Sequence, residues 1–252
     1  MGLSFIIPAF NEEAMINRCL DSVEKALAGK ALDAEIIVVN NASTDRTRER
    51  ALVHRGVRVV DEMRKGLGWA RHAGFEAATK DLLANIDADT VLTPGWIDTV
   101  LLEFQKDSSL IALSGPCIYE DIPRYLQTNV RLFYRIGMLV SFCNRMIVGR
   151  GSIIQGGNFI VKKSALVQIG GFNTGIAFYG EDTDIAQRLE KAGRVKFTFA
   201  LPVITSSRRL TGEGMTRMGL KYAANYFSVT YFQKPLTTGD TKHFRTSSSK
   251  TD

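Results

Sequence analysis

The chain has 252 residues, 45% hydrophobic and 23% charged, enough to bury a sizeable core as one α/β domain or a domain with an appendage. A net charge of +6 points to an anionic partner, whether nucleotide, phospholipid surface or nucleic acid. The three cysteines, Cys19, Cys117 and Cys143, have no close spacing, which excludes a zinc or disulfide framework and fits buried thiols in a reducing compartment.

Apolar runs at 3–9, 34–40, 57–63 and 81–88 read as strands, with helices expected near 11–29, 44–55 and 67–80. This β-α-β-α order predicts a mainly parallel sheet with right-handed crossovers. The strands are continuous Ile/Val runs, as expected where both faces are covered. Ser43-Thr44-Asp45 is expected to open the second helix, and Thr93-Pro94-Gly95-Trp96 reads as a cap followed by proline at the first helical position. Next come a strand at 109–115, a helical region at 122–148, a strand at 155–161, and a short helix from Lys163. After the loop GGFNTGIAFYGED, a helix is expected at 182–192 with Gly193 as its stop. The alternating segment 195–207 reads as an edge or returning strand because of Pro202.

Residues 3–9 are too short and lack the basic flank of a secretory leader. The longest central apolar run, Ile136–Cys143, falls far short of the ~20 residues that span a bilayer. A cytoplasmic protein, soluble or peripheral at the membrane, is expected.

Asp87 and Asp89 stand one residue apart where the fourth apolar run ends. Open α/β sheets bind ligands at that carboxyl edge. Two carboxylates there are oxygen ligands for a hard divalent cation, which usually keeps phosphate partners. Asp-x-Asp equally caps a strand and starts a turn. At the end of the first run, Pro8 and Phe10 leave a loop open to a planar ring, and Glu12 could accept from ribose hydroxyls. The plain alternative is a strand–helix junction with Asn11 as N-cap and Glu12 and Glu13 favouring the helix dipole. Asn41, after the second run, carries a donor and an acceptor that could read a base edge. Lys65 and Arg71 surround a glycine-bearing helix start and could clamp a diphosphate. His72 reads as a packing or hydrogen-bonding residue rather than a catalyst. Glu181 and Asp182 open a helix, where its dipole stabilises acids and where a carboxylate could serve as general base.

In order, IPAFNEE, VVNNASTD, GLGWARHAGFEAA, NIDADT, GGNFIVKKSALVQIGGF and GEDTDIAQRLEKAG resemble the family 2 glycosyltransferases with the GT-A fold, over roughly residues 3–210. The resemblance implies one Rossmann-like α/β nucleotide-binding domain at 1–210, its mainly parallel central sheet flanked by helices. Within it, 1–115 would be the nucleotide-sugar half and 116–210 the acceptor half. A C-terminal amphipathic helical extension at 211–236 and a flexible polar tail at 237–252 would follow.

It also implies a nucleotide-diphosphate-sugar donor, Mg²⁺ or Mn²⁺, and inverting transfer to a hydroxyl or phosphate acceptor, glycan or lipid-linked. By position, Pro8, Ala9, Phe10 and Glu12 would hold the nucleoside and Asn41 the base. Asp87 would meet ribose or metal, Ala88 would lie on the nucleotide-sugar side, and Asp89 would ligate the metal. Asp182 would be the base, with Gly157, Asn158 and Glu181 on the acceptor side.

There are departures. Asn40-Asn41 replaces the usual Asp-Asp, which leaves the base open. The Gln-x-x-Arg-Trp motif of processive synthases is absent, so single-sugar addition is expected. Arg208 stands where relatives supply an arginine to the diphosphate, although Arg208 and Arg209 can equally form a solvated basic patch.

Residues 122–149 carry Arg124, Arg131, Arg135 and Arg145 interleaved with apolar and aromatic side chains. Residues 215–236 repeat the pattern with Arg217, Lys221 and Lys234. Such helices suit an anionic membrane interface, or equally pack on the core or on a second subunit. Oligomeric state stays open, and nucleic acid is not expected, since the basic residues are spread over sites with other roles. Two alternatives compete: a sugar nucleotidyltransferase, which would carry a glycine- and arginine-rich signature after strand one, and a non-catalytic nucleotide-sugar-binding or membrane-scaffold protein.

Overall fold

A computed structural model describes residues 1–149, 151–176, 180–232 and 236. The expected flexible tail at 237–252 and Lys234 lie outside them, as does part of the loop before Glu181. The first half follows the expected alternation: β1 (Leu3–Ala9), α1 (Ile16–Leu27), β2 (Ala34–Asn40), α2 (Thr47–Leu52), β3 (Val57–Asp61), α3 (Leu67–Ala77), β4 (Leu82–Ile86), β5 (Thr90–Leu92) and α4 (Trp96–Lys106). The second half runs β6 (Leu110–Ser114), β7 (Cys117–Tyr119), α5 (Arg124–Val148), β8 (Asn158–Lys162), α6 (Lys163–Gln168), α7 (Glu181–Glu190), β9 (Arg194–Phe197), β10 (Val203–Thr205), α8 (Arg208–Glu213) and α9 (Met215–Phe232).

Seven strands form the central sheet in the order β3-β2-β1-β4-β8-β6-β9. Its pairs are parallel except where β8 inserts antiparallel between β4 and β6. All seven residues of β1 are buried, as a strand covered by helices on both faces requires. Its side chains alternate between two cores. Leu3, Phe5 and Ile7 pack with Leu20 of α1 and Trp96 of α4, whereas Ile6 packs with Ala70 of α3 and Ile185 of α7. Gly74 lets α3 sit on the sheet, because a Cβ there would collide with Ile6.

Several boundaries differ from expectation. The strand read through 88 stops at Ile86, which puts Asp87–Asp89 in a turn before β5. The segment 195–207 is two strands: β9 closes the edge of the large sheet, and β10 joins a small sheet ordered β5-β10-β7. The turn before Pro202 lets the chain change sheets. Asn11 does not cap α1; it takes a positive φ of 53°, and its side-chain oxygen accepts from the Thr44 amide at 2.7 Å. Thr93 does not cap α4 either, since its hydroxyl donates to the Pro202 carbonyl and Gly95 precedes the helix.

Candidate functional site at the carboxyl edge

β1 and β2 end in register, with Ala9 opposite Asn40, and β4 ends beside them. Their loops therefore meet on one edge. The first two loops are knitted together: Asn11 N–H donates to Ser43 Oγ at 3.0 Å, Glu12 N–H to Thr47 Oγ1 at 2.7 Å, and Glu13 N–H to Asp45 Oδ2 at 3.1 Å. Asp45 also accepts from the Thr47 amide at 3.0 Å, so it does cap the turn into α2. These bonds fix the backbone of Asn11, Glu12 and Glu13, directly after Pro8, Ala9 and Phe10. The Lys65 ammonium lies 5.3 Å from the centre of the Phe10 ring, joining two residues expected on the donor side.

Asp87, Ala88 and Asp89 form the turn after β4, with Ala88 buried and both carboxylates part-exposed. The Gly157 carbonyl accepts from the Asp87 amide at 3.4 Å. A Cβ on Gly157 would stand 2.5 Å from Asp87 Oδ2, so only glycine leaves that carboxylate in place. From the chain's far end, Arg208 Nη2 donates to Asp89 Oδ2 at 2.9 Å and to Glu12 Oε2 at 2.9 Å. The guanidinium thus lies between the two carboxylates, and Arg208 is no solvated patch. Thr205 Oγ1 lies 3.3 Å from Asp89 Oδ1.

Four residues expected to face ligands, Asn41, Arg71, Glu181 and Asn158, are buried with their polar groups engaged inside the protein. The Asn41 amide donates to the Glu62 and Arg64 carbonyls at 3.1 and 2.7 Å and accepts from the Gly66 amide at 2.9 Å. Both amide hydrogens and the amide oxygen are thus engaged in shaping the β3–α3 loop. Arg71, only 1% exposed, pairs with Glu181 and Asp87 and donates to the Gly156 carbonyl at 2.6 Å. Its fork is thus engaged within the protein, and Glu181, itself buried, is engaged with it. Asn158 is fully buried, accepting from Trp96 Nε1 at 3.1 Å and donating to the Leu201 carbonyl at 2.8 Å, so it holds core elements together.

Asp182, in the first turn of α7, points its Oδ1 at its neighbour's Thr183 amide at 2.8 Å. Burial raises the Asp182 carboxyl above the ordinary aspartate range, against the pull of the Thr183 amide and of Arg71. Desolvation by the surrounding protein likewise raises the part-exposed Asp87 carboxyl, opposed by Arg71 and reinforced by the Asp89 charge. Sequence reasoning missed Tyr222 of α9, whose hydroxyl bonds Arg209 Nη1 at 3.2 Å, and both groups feel the Asp87 and Asp182 charges. Its signal was an aromatic beside the arginine pair's helix, hidden by reading 211–236 as one amphipathic surface. His72 of α3 is part-buried, edge-on to Phe75 and 3.5 Å from Glu76. Elsewhere, Asp21, Glu24 and His54 gather three ligand-type atoms within 4.8 Å of one another, but Asp87 and Asp89 are not among them.

Residues 4–170 match the family described as glycosyl transferase family 2. The chain belongs to glycosyl transferase family 2. Residues 140–208 of this family member also match the N-terminal domain of galactosyltransferase. It is 36% identical over 110 residues to an uncharacterized glycosyltransferase of Mycobacterium tuberculosis, covering 44% of this chain and 47% of that protein. It is 32% identical over 121 residues to a chondroitin synthase of Escherichia coli, covering 46% of this chain and 16% of the synthase. The chain thus spans less than half the length of these curated relatives.

Among solved structures, TarS 1–349 of S. aureus superposes with a TM-score of 0.64 at 16% identity, covering 92% of this chain and 72% of that one. Glucosyl-3-phosphoglycerate synthase of Mycobacterium tuberculosis, in complex with Mn²⁺, UDP-glucose and phosphoglyceric acid, superposes at 0.60 with 22% identity, covering 91% and 79%. The expected GT-A architecture, a mainly parallel sheet flanked by helices with helices at the C-terminal end, is the fold of this family 2 member.

Proposed function

We propose that this chain transfers one sugar, with inversion, from a nucleotide-diphosphate-sugar to a hydroxyl or phosphate on a glycan or lipid-linked acceptor. The observation that carries this reading is the meeting of Glu12, the Asp87–Asp89 turn and Arg208 at the carboxyl edge of the sheet. Family membership supports the transfer chemistry, and the synthase solved with Mn²⁺ and UDP-glucose supports the donor class. Residues 1–115 would carry the donor and 116–210 most of the acceptor contacts, with 211–236 as an extension that lends Tyr222 to the site.

The donor set suits a divalent cation. Asp87 and Asp89 offer hard oxygen ligands, and a positive group already settles between Asp89 and Glu12. Mg²⁺ or Mn²⁺ held by Asp89 and Asp87 would offset the negative charge that develops on the leaving diphosphate. Arg208 would then turn part of its fork to the diphosphate, and Lys65 and Phe10 would flank the nucleotide. Asp182 would take the proton of the attacking hydroxyl, and its raised carboxyl makes it a stronger base than an exposed aspartate. Free cysteines, two of them buried, support a reducing, cytoplasmic compartment.

A thermal-shift series with UDP, GDP and dTDP, each with and without Mn²⁺, tests this. Metal-dependent stabilisation that disappears in Asp89→Ala is the expected result. Equal shifts without metal, or none with any nucleotide, would overturn it.

A further inference from the structure

Helix α5 spans 25 residues, yet Asn144 is its one buried residue. At 1.5 Å per residue it is about 37 Å long. Its inner side is anchored: Tyr134 accepts from the Cys117 amide at 3.1 Å and bonds Gln155 Oε1 at 3.0 Å, while Asn144 meets Tyr226 and Tyr231 of α9. The opposite side is apolar and exposed. Tyr125, Leu132, Ile136, Leu139, Met146 and Ile147 are all between 52% and 78% exposed. Their steps of three, four and seven residues, with Ile147 beside Met146, set them on one helical face. Arg124, Arg131 and Arg135, also exposed, fall along one border of that face, and no acid occurs between Arg124 and Val148. On α9, Phe227, Tyr231 and Phe232 are exposed too, and Tyr231 adjoins α5 through its bond to Asn144.

A monomeric soluble surface rarely keeps so large an apolar face open, so it marks an interaction site. The charges select the occupant. A second copy of the chain laid symmetrically on this face would bring arginine borders together with no α5 acid to match them. An anionic bilayer instead takes the apolar stripe into its headgroup boundary and pairs the arginines with lipid phosphates. No helix among the described residues is long and apolar enough to cross a membrane, so α5 would lie along the surface.

We propose that the outer face of α5, bordered by Arg124, Arg131 and Arg135, docks the protein on an anionic lipid surface. The docking is independent of the transfer chemistry above. Tyr134 also ties α5 to the segment leading to Gly157, so the docked helix would hold the site at a fixed distance from the bilayer.

The test is flotation of the 252-residue chain with vesicles of phosphatidylcholine alone and of equal parts phosphatidylcholine and phosphatidylglycerol. The expected result is binding to the anionic vesicles only, weakened by high salt. Arg131→Gln with Arg135→Gln should reduce it roughly thirtyfold, the effect of losing two surface cations. Leu132→Ser with Leu139→Ser should reduce it as well, and both pairs are exposed, so circular dichroism should stay native. Equal binding to neutral vesicles, or binding to neither, would overturn the proposal. So would a concentration-dependent dimer that the serine variant dissolves, since a second copy would then cover the face. Asp182→Asn should float like the native protein, which separates this result from any failure of the catalytic reading.

Discussion

Arg208 reaches Asp89 across 119 residues of sequence and places one guanidinium nitrogen 2.9 Å from the carboxylate that the family pattern assigns to the metal. Positive charge from the protein and from a cation would therefore compete for one oxygen pair. Arg208→Gln should bind Mn²⁺ in the absence of nucleotide about tenfold more tightly, a change of ~1.4 kcal/mol, while donor affinity falls. Isothermal titration with Mn²⁺ alone and then with a nucleoside diphosphate reads both. Unchanged metal affinity would show that the guanidinium and the cation do not contend.

Arg71 is almost wholly enclosed, and its two carboxylate partners come from different parts of the chain. Removing one member of such a buried set leaves charge without compensation, so Arg71→Met should cost about 3–5 kcal/mol. Arg71→Lys should recover little, because three donors on one ammonium nitrogen lack the planar span by which Nη1 and Nη2 reach Glu181, Asp87 and the Gly156 carbonyl. Urea denaturation of the two variants checks this; full rescue by lysine would contradict it.

The raised Asp182 carboxyl makes two pH predictions of known sign. As the base, it must be ionised, so turnover should climb with pH through a midpoint above the ~3.9 of a free aspartate. Because the folded form binds its proton more tightly than the unfolded form, stability contributed by this group is full below the unfolded pKa. It is lost as pH rises to the raised folded pKa. Asp182→Asn should abolish turnover and flatten that stability slope. A turnover profile already level at the ordinary aspartate pKa would remove Asp182 from the role.

Gly157→Ala puts a methyl group 2.5 Å from Asp87 Oδ2. Either the turn or the strand must shift, at a cost of about 1–3 kcal/mol. The expected signature is a lowered melting temperature together with loss of the Mn²⁺-dependent nucleotide shift. An alanine variant that keeps that shift would mean the Asp87 position is not needed for binding.

The sheet and its polar edge were legible because they are written locally. β1, β2 and β4 are mostly apolar runs, interrupted only by Ser4, Glu35, Asn40 and Asn85, and each is followed by residues that do not suit a strand. What was not legible is which polar groups the protein uses for itself. Asn41 and Arg71 sit at the right edge, but their partners come from Glu62, Arg64 and Gly66 in one case and from Glu181, 110 residues away, in the other. Periodicity cannot foretell such long-range claims. At α7, Glu181 and Asp182 are adjacent and chemically alike, yet one turns inward to a buried arginine and the other does not. The break in 195–207 was half visible: Pro202 signalled an edge, but the change of sheet depended on β5 and β7 lying ready to pair.

The small sheet also sets an order of events during synthesis. Thr90, directly after the aspartate turn, pairs with Thr205, made 115 residues later. At ~5–20 residues per second, the ribosome leaves β5 without that neighbour for roughly 6–23 seconds. Through that interval the parallel strands already translated can assemble, but the acidic turn lacks both its brace and its counter-cation from Arg208. The nascent chain therefore holds a bare strand edge beside concentrated negative charge, and this is the stretch where a chaperone would be needed.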